Sequence, residues 1–197
     1  MITFFLKNWI LWNIILAILP FGLWKLYLYF KAKGLRILKW LSLLLTILFL
    51  PNSIYLTTDI IHIFDSVPDS FYWYGGLPSK LWSFISTGLI VNNYLYNFTM
   101  VFLFVLGVIL FYFQSKFIFD EFKLKLKWQL VYFAVMAYAV FLGRFVRLNS
   151  WDVFVSPLSF INQLNPGVEG LVFVLGFTVY ELVGFFGVKF LVEKRDF

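Results

Sequence analysis

The chain contains no cysteine and a single histidine. Disulfides, a thiol nucleophile and thiolate metal sites are therefore excluded, and a histidine-rich metal centre cannot be assembled. The lack of cysteine carries no information about compartment. Charge is also scarce: 13% of the 197 residues are Asp, Glu, Lys or Arg, against about a quarter in a soluble domain. No internal repeat or low-complexity tract is visible, and strand-length alternation is absent. The first apolar run ends in "PFGLWK" without a small-residue cleavage site, so it is expected to stay as a membrane helix rather than leave as a signal peptide.

What fills the space is apolar. Hydrophobic residues make up 62% of the chain and aromatics 23%, with a mean hydropathy of +0.88. This is the composition of an integral membrane protein. A spanning helix needs roughly 20 apolar residues. Five segments reach or approach that length: approximately 9–26, 37–61, 87–113, 128–148 and 168–192. Backbone groups in lipid must be satisfied internally, so helices are the expected form. The predicted fold class is an all-α bundle of about five transmembrane helices, forming a single polytopic domain over 1–197. Pro20 is a candidate kink in the first helix. Gly176, Gly184 and Gly187 in the fifth suggest close helix packing.

The net charge of +6 does not point to nucleic acid, because the basic residues sit in short loops between apolar segments. Lys25, Lys31, Lys33, Arg36 and Lys39 lie at or after the end of the first segment. Lys116, Lys123, Lys125 and Lys127 follow the third, and Lys189, Lys194 and Arg195 close the fifth. These are 12 of the 16 basic residues, and alternate crossings put them all on one side. Only Lys7, Lys80, Arg144 and Arg147 fall on the other. The positive-inside rule then places the N-terminus outside and the C-terminus inside. The predicted location is a cell (plasma) membrane, crossed several times, and the cytoplasmic lysines are positioned to touch anionic lipid. The two external loops differ in character. "DSVPDSFYWYGGLPSKLWSFIS" (65–86) reads as an aromatic lid or re-entrant piece at the interface, and "SWDVFVSPLSFINQLNPG" as a short interfacial helix ending at Asn165-Pro166-Gly167.

Polar residues cluster in two places. "PNSIYLTTDIIH" (51–62) ends the second hydrophobic run. On a helix, Asn52, Tyr55, Asp59 and His62 fall within an arc of about 80°. Such a stripe should face the bundle interior or a water-filled cavity, not lipid. "GRFVRLNSWD" (143–152) ends the fourth. There Arg144, Arg147 and Trp151 follow helical i, i+3, i+7 spacing at the same outer depth. Arginines at membrane depth need partners, and Asp59, Asp65, Asp152 or an anionic ligand qualify, since guanidinium suits carboxylate and phosphate alike. Asn93, Tyr96 and Asn97 extend the polar surface from the third helix. Glu181 lies roughly 20 Å from the outer end of the fifth helix, apart from this cluster.

Each feature has a plain structural reading beside the functional one. Asp59 with Arg144 or Arg147 could be an ion pair clamping two helices. His62 could be an interfacial side chain or a general base. A metal held by Asp59, His62 and Asp65 would have few donors, and neither a metal nor another cofactor is expected. Glu181 could hydrogen-bond a neighbouring helix or relay protons. Ser150 is the nearest nucleophile candidate, and its neighbour Asn149 makes a turn or cap an equal reading.

The strings "LPNSIYLTTDIIHI" (50–63) and "GRFVRLNSWDVFVSPL" (143–158) resemble the two signature regions of a bacterial membrane-protein family known as domain of unknown function 1361. The resemblance implies a shared layout over most of the chain. It also implies a common hot region of Pro51, Asn52, Tyr55, Thr58, Asp59 and His62 from the first block. The second block contributes Gly143, Arg144, Arg147, Asn149, Ser150, Trp151 and Asp152. Where an aromatic-Asp pair is expected after the first block, this chain has Gly75 in "YWYGG". The family implies no reaction.

The leading expectation is an outer-leaflet site for an anionic lipid or polyprenyl-phosphate headgroup. Arg144, Arg147, Asn52, Tyr55, Thr58, Asn149, Trp151 and Asp152 would bind, and Asp59 with His62 would orient the group or act as an acid/base pair for transfer or hydrolysis. The alternatives are a non-enzymatic subunit docked to another membrane protein, and a small transporter using Glu181. With five helices and no inverted repeat, a transporter would require a dimer.

Overall fold

The computed structural model describes residues 2–59, 94–148, 155 and 157–194. Every regular element among them is helical: α1 (Ile2–Ala32), α2 (Arg36–Phe49), α3 (Pro51–Thr58), α4 (Tyr94–Phe122), α5 (Leu126–Phe141), α6 (Pro157–Asn162) and α7 (Gly167–Glu193), with a π turn over Leu142–Val146 after α5. Five stretches are long and apolar enough to cross a membrane: Ile10–Ala32, Arg36–Thr58, Phe98–Phe122, Leu126–Val146 and Gly167–Glu193. This is the architecture of a multi-pass membrane protein. The lid expected at 65–86 lies outside the described residues.

Two helices run further than their apolar stretches. α1 continues past Lys25 to Ala32, and α4 continues past Phe113 to Phe122. Charge ends a hydrophobic run but not a helix, and nothing in "QSKFIFDEF" breaks one. Gln114 and Ser115 stay buried by finding partners: Gln114 Nε2 donates to the Ala17 carbonyl at 2.8 Å, and Ser115 Oγ lies 2.9 Å from the Tyr132 hydroxyl. α1 passes through the buried Pro20 and stops at Gly34, whose φ of +71° sets a left-handed cap. The Leu35 and Gly34 amides then donate back to the Phe30 and Lys31 carbonyls at 3.0 and 3.2 Å, which satisfies the frayed end of the helix.

The second span is broken at Leu50–Pro51, yet Leu50 keeps helical dihedrals (φ −58°, ψ −38°). Around the proline, side chains bond back to the helix backbone. Asn52 Nδ2 donates to the Phe49 carbonyl at 2.9 Å, and Ser53 Oγ to the Leu50 carbonyl at 2.8 Å. Thr57 and Thr58 bond back to Ile54 and Tyr55 at 2.7 Å each. In an apolar setting such back-bonding gives the side-chain donors backbone carbonyls as acceptors in place of water.

The core is aromatic. Phe133 of α5 sits 5.9 Å from Phe111, 5.6 Å from Phe119 and 5.5 Å from Phe185 between ring centroids, joining α4, α5 and α7. α3 lies against α4 at Gly107, where a Cβ would meet the Ser53 carbonyl oxygen and Thr57 Cγ2 at 2.9 Å. α5 and α7 close up at Gly170, where a Cβ would meet Phe141 Cζ at 2.6 Å. These are the close approaches, rather than the expected Gly176 and Gly187, which have nothing within 4 Å. Glycine spacing marks a smooth helix face but not which face meets a neighbour.

One end of the bundle carries a basic belt with its own acids. Tyr27 donates to Glu121 at 2.8 Å, and Lys31 pairs with the same carboxylate. Lys116 and Lys189 lie 3.8 and 3.9 Å from Glu193. At the other end, the Tyr138 hydroxyl donates to the Leu164 carbonyl, tying the connection after α6 to α5. α6 supplies the short exposed helix expected there. It ends at Asn162, and α7 starts at Gly167.

Candidate functional site

Asp59 ends α3 and is fully buried. Three elements meet at its carboxylate. Asn13 of α1 donates its amide to Oδ2 at 3.1 Å. Arg144 Nη1, on the π turn, lies 3.6 Å from Oδ1. That is beyond a good hydrogen bond, so the attraction is mainly Coulombic. The guanidinium carbon lies 5.9 Å from the Tyr55 ring centroid, within cation–π range. The Arg144 side chain keeps 18% of its surface exposed. The carboxylate is therefore sealed inside, and the guanidinium straddles the boundary.

The π turn explains how Arg144 arrives there. A π turn widens the hydrogen-bonded ring by one residue and occurs frequently at functional sites. Here it runs over Leu142–Val146 and ends at Arg147, a non-glycine residue with φ +60°. The Arg147 and Leu148 amides both return to the Leu142 carbonyl. A left-handed non-glycine residue costs on the order of 1–3 kcal/mol and persists only where its surroundings enforce it. The α-helical spacing expected from Arg144 to Arg147 is thus corrected: the register changes at Leu142 and the helix stops before Arg147. Arg147 is exposed and, among the described residues, makes no ion pair.

The structure brings Asp59, Tyr55 and Arg144 together, as their spacing indicates. It does not bring Asn52 or Thr58 to the carboxylate, because those side chains bond to the Phe49 and Tyr55 carbonyls. His62, Asp65, Asn93, Asn149, Ser150, Trp151 and Asp152 lie outside the described residues, as do the side chains of Tyr96 and Asn97. Among the described residues, no group of three or more His, Asp and Glu could hold a metal. Asn13 was not anticipated. Its signal was present in "WILWNIILAILPF", where it is the lone amide in an apolar run. Gly143 faces the Tyr55 ring with room to spare, since a Cβ would sit 3.6 Å from Cε2.

Glu181 lies elsewhere, in α7, and is also fully buried. The hydrogen bond to a neighbouring helix expected for it is not found: neither carboxylate oxygen has a hydrogen-bond partner among the described residues.

A family model described as "Protein of unknown function (DUF1361)" matches residues 12–183. No curated protein matches, and no solved structure matches.

Proposed function

Starting from a chain that belongs to the family of proteins of unknown function DUF1361, we propose that the Asp59–Arg144 end of the bundle binds an anionic headgroup, of a phospholipid or a polyprenyl phosphate, at the outer leaflet of a plasma membrane. The observation that carries the reading is the division of labour between two arginines. Arg144 is held against the buried carboxylate of Asp59, and Arg147, three residues on, is exposed without an ion pair among the described residues. A phosphate accepts from guanidinium groups in this way, with one held by the fold and one left to the ligand. Asp59 then orients Arg144 through the Asn13–Asp59–Arg144 chain. His62, Asn149, Trp151 and Asp152 remain candidate contacts to the same headgroup, and transfer or hydrolysis at the outer surface is the reaction class open to it.

The test is retention of lipid. The full chain is extracted and its bound lipids are identified by mass spectrometry, for wild type, Arg147→Ala and Arg144→Ala, with thermal stability measured in parallel. Wild type should retain an anionic lipid. Arg147→Ala should lose it without a fall in stability, because no described contact of the fold depends on that side chain. Equal retention by wild type and Arg147→Ala sinks the proposal.

A second reading is supported by the same carboxylate. Asp59 joins α1, α3 and the π turn, which is what a structural clamp does, and the protein would then be an accessory subunit of a membrane complex. In that case wild type retains no anionic lipid, and the two arginine variants differ in stability alone.

A further inference from the structure

The Glu181 carboxyl group has no solvent exposure and no hydrogen-bond partner among the described residues. It sits 12 residues before Glu193, or about 18 Å along α7 by helical rise, and so near the middle of its span. Its neighbours are aromatic and hydroxylic. Phe185, one turn along α7, packs on Tyr112 of α4 at 5.2 Å and on Phe133 of α5 at 5.5 Å. Tyr132 of α5 and Tyr180 of α7 lie within electrostatic reach. The Tyr112 hydroxyl is likewise buried with no described partner. No lysine or arginine pairs with Glu181 among the described residues.

A bare carboxylate in such a place would lack both solvation and counter-charge, and membrane interiors do not support that state. The group must be compensated by something small that leaves no side chain behind. A hard cation would require a cage of several oxygens, and among the described residues no group of three or more acids or histidines could hold one. A proton needs only the carboxyl itself.

The basic end offers the nearest polar space on this side of Glu181. A polar cavity of about 90 Å³ is lined by Lys116, Asp120, Gln129, Lys189 and Glu193, with Tyr112 and Phe185. Phe185 lies one turn from Glu181 on α7 and packs on Tyr112, and both rings line this cavity. We propose that Glu181 is an intramembrane proton-binding site, loaded and unloaded from the lysine-rich end through this cavity, with the Tyr112 hydroxyl as the intermediate group. The proton moves as H⁺ between water in the cavity and the carboxylate, with no change of redox state. This site is separate from the arginine end and does not depend on the headgroup reading.

The experiment uses the full chain in lipid vesicles of known orientation and the apolar reagent dicyclohexylcarbodiimide. That reagent adds to protonated carboxyls and leaves an N-acylurea detected by peptide mass spectrometry. Glu181 should be labelled, labelling should decline as the pH on the lysine-rich side rises, and Glu181→Gln should abolish it. Tyr112→Phe, which keeps the ring packing, should slow the response to a pH step by several-fold while leaving the end point unchanged. An unlabelled Glu181 overturns the proposal, and so does labelling indifferent to pH on the lysine-rich side. Protection by sodium at constant pH overturns the assignment to a proton. An unaltered response in Tyr112→Phe overturns the route.

Discussion

Asp59 and Arg144 show what a buried pair asks of its surroundings. The carboxylate is sealed, so the cost of removing it from water has to be met by Asn13 and the guanidinium. Breaking a buried ion pair by removing one charge costs about 3–5 kcal/mol. With Arg144 partly exposed, Asp59→Asn should fall near the lower limit, roughly 3 kcal/mol by the same measure. Asn13→Leu should cost less, about 1–3 kcal/mol for a buried oxygen deprived of a donor. Thermal unfolding of the purified variants in matched detergent checks both, and the reverse order would mean that Arg144 contributes little to holding Asp59. The pair was legible in the sequence because both residues interrupt apolar runs at matching depth. Asn13 was harder to assign. A single amide in a greasy helix signals that a partner exists, but nothing local names a carboxylate 46 residues away.

At the scale of the helices, the proline joint and the π turn are the two irregularities that build the site, and they differ in how visible they are. Pro51 announces itself. The π turn does not, because "FLGRFVRL" has unbroken apolar spacing and an α-helix is the default reading of it. The left-handed residue at Arg147 likewise depends on tertiary surroundings and not on local propensity, which would favour glycine or asparagine there. Helix packing gives a sharper test of sequence against structure. Gly107 admits no side chain, since a Cβ would collide with the Ser53 carbonyl oxygen at 2.9 Å. Gly107→Ala should destabilise by about 1–3 kcal/mol through overpacking, and Gly107→Leu should prevent α3 from seating on α4. Gly176→Ala, with nothing within 4 Å, should be tolerated. If both alanine variants unfold at the wild-type temperature, the α3–α4 contact is looser than described.

For the whole molecule, the segregation of charge and the helix packing agree. Tyr27 and Lys31 meet Glu121, and Lys116 meets Glu193, so α1, α4 and α7 present corresponding ends to one side, as alternating basic loops require. The number of spans was readable from length and hydropathy alone. Their ends were not, because helices carry on past the hydrocarbon edge as long as no glycine cap or proline stops them. The absence of cysteine gives a direct check of orientation. Single cysteines placed at Lys116 and at Arg147 report alone, without background. An impermeant maleimide added outside intact cells should label Arg147→Cys and leave Lys116→Cys unmodified, and the opposite pattern would invert the topology.

α7 is the least covered span: 11% of its most apolar window is buried, against 22–39% for the others. Its buried residues are Gly170, Glu181 and Phe185, with Phe173, Phe177, Tyr180 and Val188 packed partly buried against the core. Of the two fully buried acids among the described residues, one thus rides on the least covered span. Val179 and Val183 beside it are exposed, so the width of a single helix separates the acid from the acyl chains.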